Sequence, residues 1–243
     1  MANAIETKRL TKVFGDRKAL DKVSIEVPEG AFLSIFGPNG AGKTTLVRTL
    51  ATLSRATSGT ALVAGFDAKE EPDKVREHIG LISHNPMLYP DLTAMENLMF
   101  TAQLYGVVNA EERARELLRA VELDHRRFDV VRTFSRGMTQ RLSIARALAR
   151  KPEILIFDDS FSALDYRTDA SLRAGLAREL SDTTCLIVAQ RIGTIRHADR
   201  IVVLDEGRVA GIGTHDELMK NCSVYREIAM SQLSAAELEK EGV

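Results

Sequence analysis

The chain has 243 residues, enough for one large domain with a substantial core. Hydrophobic residues make up 44% and charged residues 28%, with a net charge of −1, so no global field favours nucleic acid. Two cysteines, Cys185 and Cys222, speak against a disulfide framework, and no apolar run approaches the ~20 residues that span a bilayer. The N-terminal residues carry charge early and do not resemble a signal peptide, so the expected location is cytoplasmic, with any membrane role supplied through a partner.

Short strands are expected first, over Ile5–Leu10, Val23–Val27, Phe32–Phe36 and Thr60–Val63, with turns at Pro28-Glu-Gly30, Ser58-Gly59 and Gly65. Between the third strand and a helix over Thr44–Leu53 lies Gly37-Pro38-Asn39-Gly40-Ala41-Gly42-Lys43-Thr44, a complete G-x-x-x-x-G-K-[ST] phosphate loop. Its glycines let several N–H groups turn towards one anion at a helix start. Lys43 would reach the β- and γ-phosphates and the Thr44 hydroxyl would ligate Mg²⁺, with Thr45 beside it. Binding of a nucleoside triphosphate is expected.

Downstream, a strand is expected over Ile79–Ser83, then helices over Ala94–Leu104, Ala110–Val121 and Thr139–Arg150, the last stopped before Pro152. Strands Ile154–Phe157, Thr184–Val188 and Ile201–Leu204 alternate with a helix over Asp165–Leu180, which implies a mostly parallel α/β sheet. The early strands imply an antiparallel annex. The apolar strand Ile154-Leu-Ile-Phe157 runs into Asp158-Asp159, and a carboxylate there suits Mg²⁺. The charged run Glu111–Arg119 reads as a solvated helix face with i,i+4 pairs, Cys185 as a core thiol, and Val224–Leu238 as a C-terminal helix with apolar Tyr225, Ile228, Leu233 and Leu238.

The segment Phe134-Ser135-Arg-Gly137-Met-Thr-Gln140-Arg141, with the Ala145-Arg-Ala-Leu148 run, resembles the signature motif and helix of ATP-binding-cassette (ABC) ATPases, whose common form is Leu-Ser-Gly-Gly-Gln. The resemblance extends over essentially the whole chain. It implies a P-loop ABC cassette fold in a single domain, with residues 1–84 and 152–220 forming core and β annex, 85–150 the helical subdomain and signature helix, and 221–243 a C-terminal helix. It implies ATP and Mg²⁺ as cofactors, and two cassettes that enclose two nucleotides head to tail, so that Ser135 and Gly137 serve the partner's ATP. Phe14 aligns with the aromatic residue that stacks on adenine, and Asp165 with the aspartate that communicates across the dimer. Leu88–Asn97 resembles the segment facing a transmembrane transporter subunit. A soluble non-transport ABC ATPase, or a stable nucleotide-binding module without a transport partner, shares these motifs and stays open as an alternative.

Three positions depart from the family pattern. His84 stands where a glutamine is usual, as a candidate for holding Mg²⁺ or its water. Asp159 stands where the catalytic glutamate is usual; its carboxylate falls short by roughly 1–1.5 Å, about one C–C bond. Gln190 replaces the switch histidine, and its amide can donate to a γ-phosphate but cannot carry a proton. A misplacement near ~1 Å can cost about 10²-fold in rate, so slow hydrolysis is expected. Up to about Arg150 the wording resembles free-standing haem- or drug-exporter cassettes; from Pro152 it resembles the degenerate cassette of heterodimeric exporters. Two histories fit: a recombined cassette joined near residues 138–153, or a natural divergent member.

Overall fold

A computed structural model describes residues 2–83, 85–158, 180 and 182–232. They form two compact units, one of residues 1–78 with 184–243 and one of residues 79–183.

In the first unit, β1 (Asn3–Phe14) and β2 (Arg17–Pro28) make a long antiparallel hairpin. Along β2, Val23, Ile25 and Val27 are buried while Ser24 and Glu26 are exposed, the period-two pattern of a sheet with one wet face. β1 also pairs with β4 (Ser58–Val63), which pairs with β5 (Phe66–Asp67), completing the antiparallel annex expected from the sequence. Ser58-Gly59 lies inside β4 and is not a turn: Ser58 pairs with Thr11, and the Arg9 carbonyl comes so close that a Cβ at Gly59 would stand 2.3 Å from it. That proximity suits glycine in a strand where two backbones approach.

The core of this unit is a parallel ribbon. β3 (Phe32–Phe36) runs between β8 (Thr184–Val188) and β9 (Arg200–Asp205), and β10 (Arg208–Gly213) pairs antiparallel with β9. β3 and β8 are almost wholly apolar and buried along their length, as strands covered on both faces must be. α1 (Lys43–Leu50) follows β3, and α2 (Pro72–His78) buries only Val75.

In the second unit, β6 (Ile79–Ile82) pairs parallel with β7 (Ile154–Asp158). α3 (Ala94–Leu104) starts on a reciprocal cap between Thr93 and Glu96, which satisfies two end donors. α4 (Ala110–Ala120) turns Ala114, Leu117 and Leu118 inward; its Arg115–Glu111 pair at 2.7 Å is of the expected i,i+4 kind. Arg113 departs from the solvated-face expectation: it is buried, and its guanidinium donates to the carbonyls of Leu148 at 2.9 Å and Ala149 at 3.4 Å. Those carbonyls lie at the C-terminal end of α5 (Arg136–Ala147), where intrahelical donors run out. α5 begins three residues before the expected Thr139, because Ser135 caps it by accepting from the Met138 N–H at 3.3 Å.

Back in the first unit, β8 leads to the short helix α6 (Ile192–Ile195), and β10 to α7 (His215–Asn221) and α8 (Ser223–Gln232). In α8, Tyr225 and Ala229 are the buried positions; Leu233 and Leu238 of the expected apolar stripe lie outside the described residues. No helix among the described residues is long and apolar enough to cross a membrane.

Candidate nucleotide site

Local sequence builds the loop between β3 and α1. Gly37, Gly40 and Gly42 have φ of 143°, 82° and 102°, all in the region that disfavours side chains. Space also forbids them at two of these positions: a Cβ at Gly37 would stand 2.0 Å from the Leu204 carbonyl oxygen, and one at Gly42 2.4 Å from that of Ala19. The chain is thereby wrapped tightly between β9 and β2. Gly42 is the N-cap of α1 and no side chain caps it, so the first N–H groups of the helix adjoin the loop.

Lys43 is buried, and its ammonium donates to the loop's own carbonyls, Gly37 O at 2.7 Å and Pro38 O at 2.8 Å. The charge is thus held against the concave side of the loop and not splayed into solvent. Thr44 is exposed, while Thr45 is half-buried and its carbonyl accepts from the Thr49 hydroxyl at 2.8 Å. Beside the loop, Arg17, Lys18, Pro38, Asn39, Gly40, Ala41, Asp205 and Glu206 line a pocket of about 450 Å³.

The wall of that pocket is tied to the loop through backbone. The Gly207 N–H donates to Ala41 O at 3.1 Å, and the Asp21 N–H donates to Gly207 O at 2.8 Å. Asp21 is buried at this junction, and Arg208 donates twice to its Oδ2, at 2.6 and 2.9 Å, with Lys18 at 3.5 Å from its other oxygen. The Arg208 guanidinium holds the Asp21 carboxyl below the usual carboxylate range.

Phe14 ends β1 opposite Arg17 and is 55% exposed, which suits a platform for a base better than a core position. The Lys12 ammonium covers one of its faces at 4.8 Å from the ring centroid. Gln190, just after β8, is exposed, and its backbone carbonyl is held by Gln232. Cys185, in β8, is buried as expected, and burial pushes its thiol up to about 11.

Phe14, the phosphate loop, Thr44 and Gln190 therefore lie in the first unit. Asp158 lies in the second, as the buried last residue of β7, together with Ser135 and Gly137 at the start of α5. His84, Asp159 and Asp165 lie outside the described residues. Arg208, Asp21 and Gly207 carried no sequence signal: each acts through a neighbour distant along the chain.

The sequence pattern of the family described as ABC transporter matches residues 20–162. The daunorubicin/doxorubicin resistance ATP-binding protein DrrA of Streptomyces peucetius is 38% identical over 98% of this chain and 74% of its own length. An uncharacterized ABC transporter ATP-binding protein of Mycobacterium tuberculosis is 36% identical over 91% of this chain, which spans only 39% of that relative's length. Among solved structures, a dimeric ATP-binding cassette in a post-hydrolysis state with ADP and Pi superposes with a TM-score of 0.78 at 29% identity, over 86% of this chain and 98% of the other.

Proposed function

Because the chain belongs to the ABC transporter family of ATP-binding proteins, whose cassettes are ATPases, we propose that it binds Mg-ATP and hydrolyses it slowly on pairing with a second cassette, to drive a membrane transporter. The observation that carries this reading is the phosphate loop, with Lys43 fastened to the carbonyls of Gly37 and Pro38 and α1 uncapped behind it. Phe14 would take the adenine. In the first unit the Thr44 hydroxyl is a hard oxygen donor of the kind Mg²⁺ selects, and in the second unit the Asp158 carboxylate is another; each would be a candidate ligand for the ion that neutralises phosphate charge.

The second cassette would bring its own signature residues to this nucleotide, as Ser135 and Gly137 of this chain would to the partner's. The solved relative with ADP and Pi is a dimer, which supports that arrangement. A transmembrane subunit of drug-export type would be the transport partner, placing the cassette at the cytoplasmic face of the inner membrane; the Streptomyces relative is named for drug resistance.

Slow turnover rests on the sequence departures at Asp159 and Gln190, with His84 as a third. Expected turnover lies below about 1 s⁻¹, against ~10 s⁻¹ for a typical enzyme. The test compares ATP affinity and turnover in the natural chain, in Lys43→Ala, and in a variant carrying Asp159→Glu with Gln190→His. Lys43→Ala should abolish binding, and the double variant should hydrolyse faster at similar affinity. Fast turnover by the natural chain would refute the slow-engine reading, and retained binding by Lys43→Ala would refute the site.

We also propose a joined-cassette history over simple divergence, from the change in wording between residues up to about 150 and those from 152. A single natural sequence that closely matches both residues 1–137 and 154–243 would overturn it.

A further inference from the structure

The C-terminal helix α8 meets the nucleotide-handling segments at two places. Near its start, Tyr225 is fully buried, and its ring meets Phe36 edge-on at 5.3 Å; Phe36 is the residue directly before Gly37. The Tyr225 hydroxyl is hydrogen-bonded to His215 Nδ1 at 2.7 Å, which fixes α8 on α7. At its far end, Gln232 reaches the segment after β8: its Nε2 donates to Gln190 O at 2.8 Å, and its Oε1 accepts from the Ile192 N–H at 3.0 Å.

One side-chain amide therefore grips donor and acceptor of the same stretch of backbone, as a neighbouring peptide group would. The grip has a local reason. Ile192 opens α6, whose preceding residue Arg191 supplies no side-chain cap, so the Ile192 N–H needs an outside acceptor. Gln232 is that acceptor, and its other end closes on the residue two positions back.

We propose that Gln232 is a positioning residue: it sets the backbone at Gln190 and so aims the Gln190 side chain at the terminal phosphate of ATP. The proposal rests on the reading of Gln190 given above. Its chemistry makes aim matter. A charged imidazolium attracts phosphate over a distance and from several directions, whereas a neutral amide contributes only through a short, near-linear hydrogen bond that weakens steeply when bent. Replacing histidine by glutamine at the switch therefore raises the demand on the backbone beneath it. The two-point grip from α8 meets that demand, and it makes the C-terminal helix part of the apparatus that distinguishes ATP from ADP.

The test uses the full chain and measures Mg-ATP and Mg-ADP affinity side by side, with thermal midpoint as a control, in Gln232→Ala, Gln232→Glu and Gln190→Ala. Gln232→Glu keeps the acceptor for Ile192 but sets a carboxylate against the Gln190 carbonyl. Both Gln232 variants should lose about 3- to 10-fold in ATP affinity, the range of one ordinary net hydrogen bond weakened by misalignment, with ADP affinity and thermal midpoint nearly unchanged. Gln190→Ala should do the same. If ATP and ADP affinity fall together with the thermal midpoint, Gln232 is a packing residue and the proposal fails. Should Gln190→Ala lower ATP affinity selectively while Gln232→Ala does not, the grip fails and the reading of Gln190 survives. If Gln190→Ala is silent, both fall.

Discussion

Gly42 and Gly207, 165 positions apart in the chain, are held to glycine by the same atom: a Cβ on the first would stand 2.4 Å from the Ala19 carbonyl oxygen, and one on the second 2.9 Å from it. The phosphate loop and the β9–β10 turn thus close on one peptide group of β2 from two sides. Both glycines also have positive φ, 102° and 77°, so sterics and backbone preference agree.

Gly207→Ala should therefore act on the nucleotide site from outside the motif. The loss of fit costs about 1–3 kcal/mol of strain. It should lower the thermal midpoint by several degrees and weaken ATP and ADP binding alike, because the turn's N–H holds Ala41 of the loop. Calorimetry with nucleotide titration checks both. Unchanged nucleotide affinity would show that the turn does not support the loop.

The Arg208–Asp21 pair predicts a pH dependence. Asp21 has its folded-state pKa lowered, chiefly by the Arg208 hydrogen bonds, so its stabilising contribution is present above the ordinary carboxylate range and is lost as pH falls through the lowered value. Arg208→Gln removes the largest cause of that difference. Its acid-unfolding midpoint, followed by circular dichroism, should move to higher pH than that of the natural chain, and stability at neutral pH should fall.

Cys185 should be chemically silent in the folded protein. Its thiol is raised to about 11 by burial, so little thiolate exists near neutrality. Reaction with a disulfide reagent at pH 8 should run roughly two orders of magnitude below that of an ordinary free thiol. Denaturant should restore the full rate. Rapid modification of the folded chain at Cys185, located by mass spectrometry, would contradict the burial.

Asn97 holds the approach to α3. Its amide donates to the carbonyls of Tyr89 and Thr93 at 3.0 and 2.9 Å, and its oxygen accepts from the Tyr89 N–H at 2.8 Å, all with the residue 2% exposed. Asn97→Leu takes the acceptor from the Tyr89 N–H, while the Tyr89 and Thr93 carbonyls keep the Leu92 and residue-97 N–H donors, at about 1–3 kcal/mol. Urea unfolding should show the loss, while nucleotide affinity, seated in the other unit, should hold.

How much of this was legible beforehand depends on how local each feature is. Phe32–Phe36, Ala94–Leu104 and Thr184–Val188 have in the structure the bounds read from the sequence, because each is an apolar or amphipathic run with breakers at both ends. The hairpin is longer than expected, since exposed Arg17, Lys18 and Lys22 interrupt the apolar pattern before Val23 while Lys12, Val13 and Phe14 still pair with Leu20, Lys18 and Arg17. β10 was missed: Arg208–Gly213 carries two glycines and alternates weakly, and only its antiparallel partner β9 makes it a strand. The phosphate loop was readable because all its parts are contiguous. The Gln232 grip was not, because it joins residues 42 and 40 positions apart and a surface glutamine near a helix end has no pattern of its own.

Phe14 and Lys43 stand at opposite extremes of constraint. The lysine is buried against carbonyls in a loop whose glycines admit no side chain, whereas Phe14 ends a strand beside Gly15, where an added Cβ would meet nothing within 4 Å. On the proposal that Phe14 takes the base and the loop the phosphates, substitutions at Phe14 can accumulate without disturbing the loop around Lys43. Under selection, base recognition would then be the part free to drift, while the phosphate loop is fixed by its own backbone.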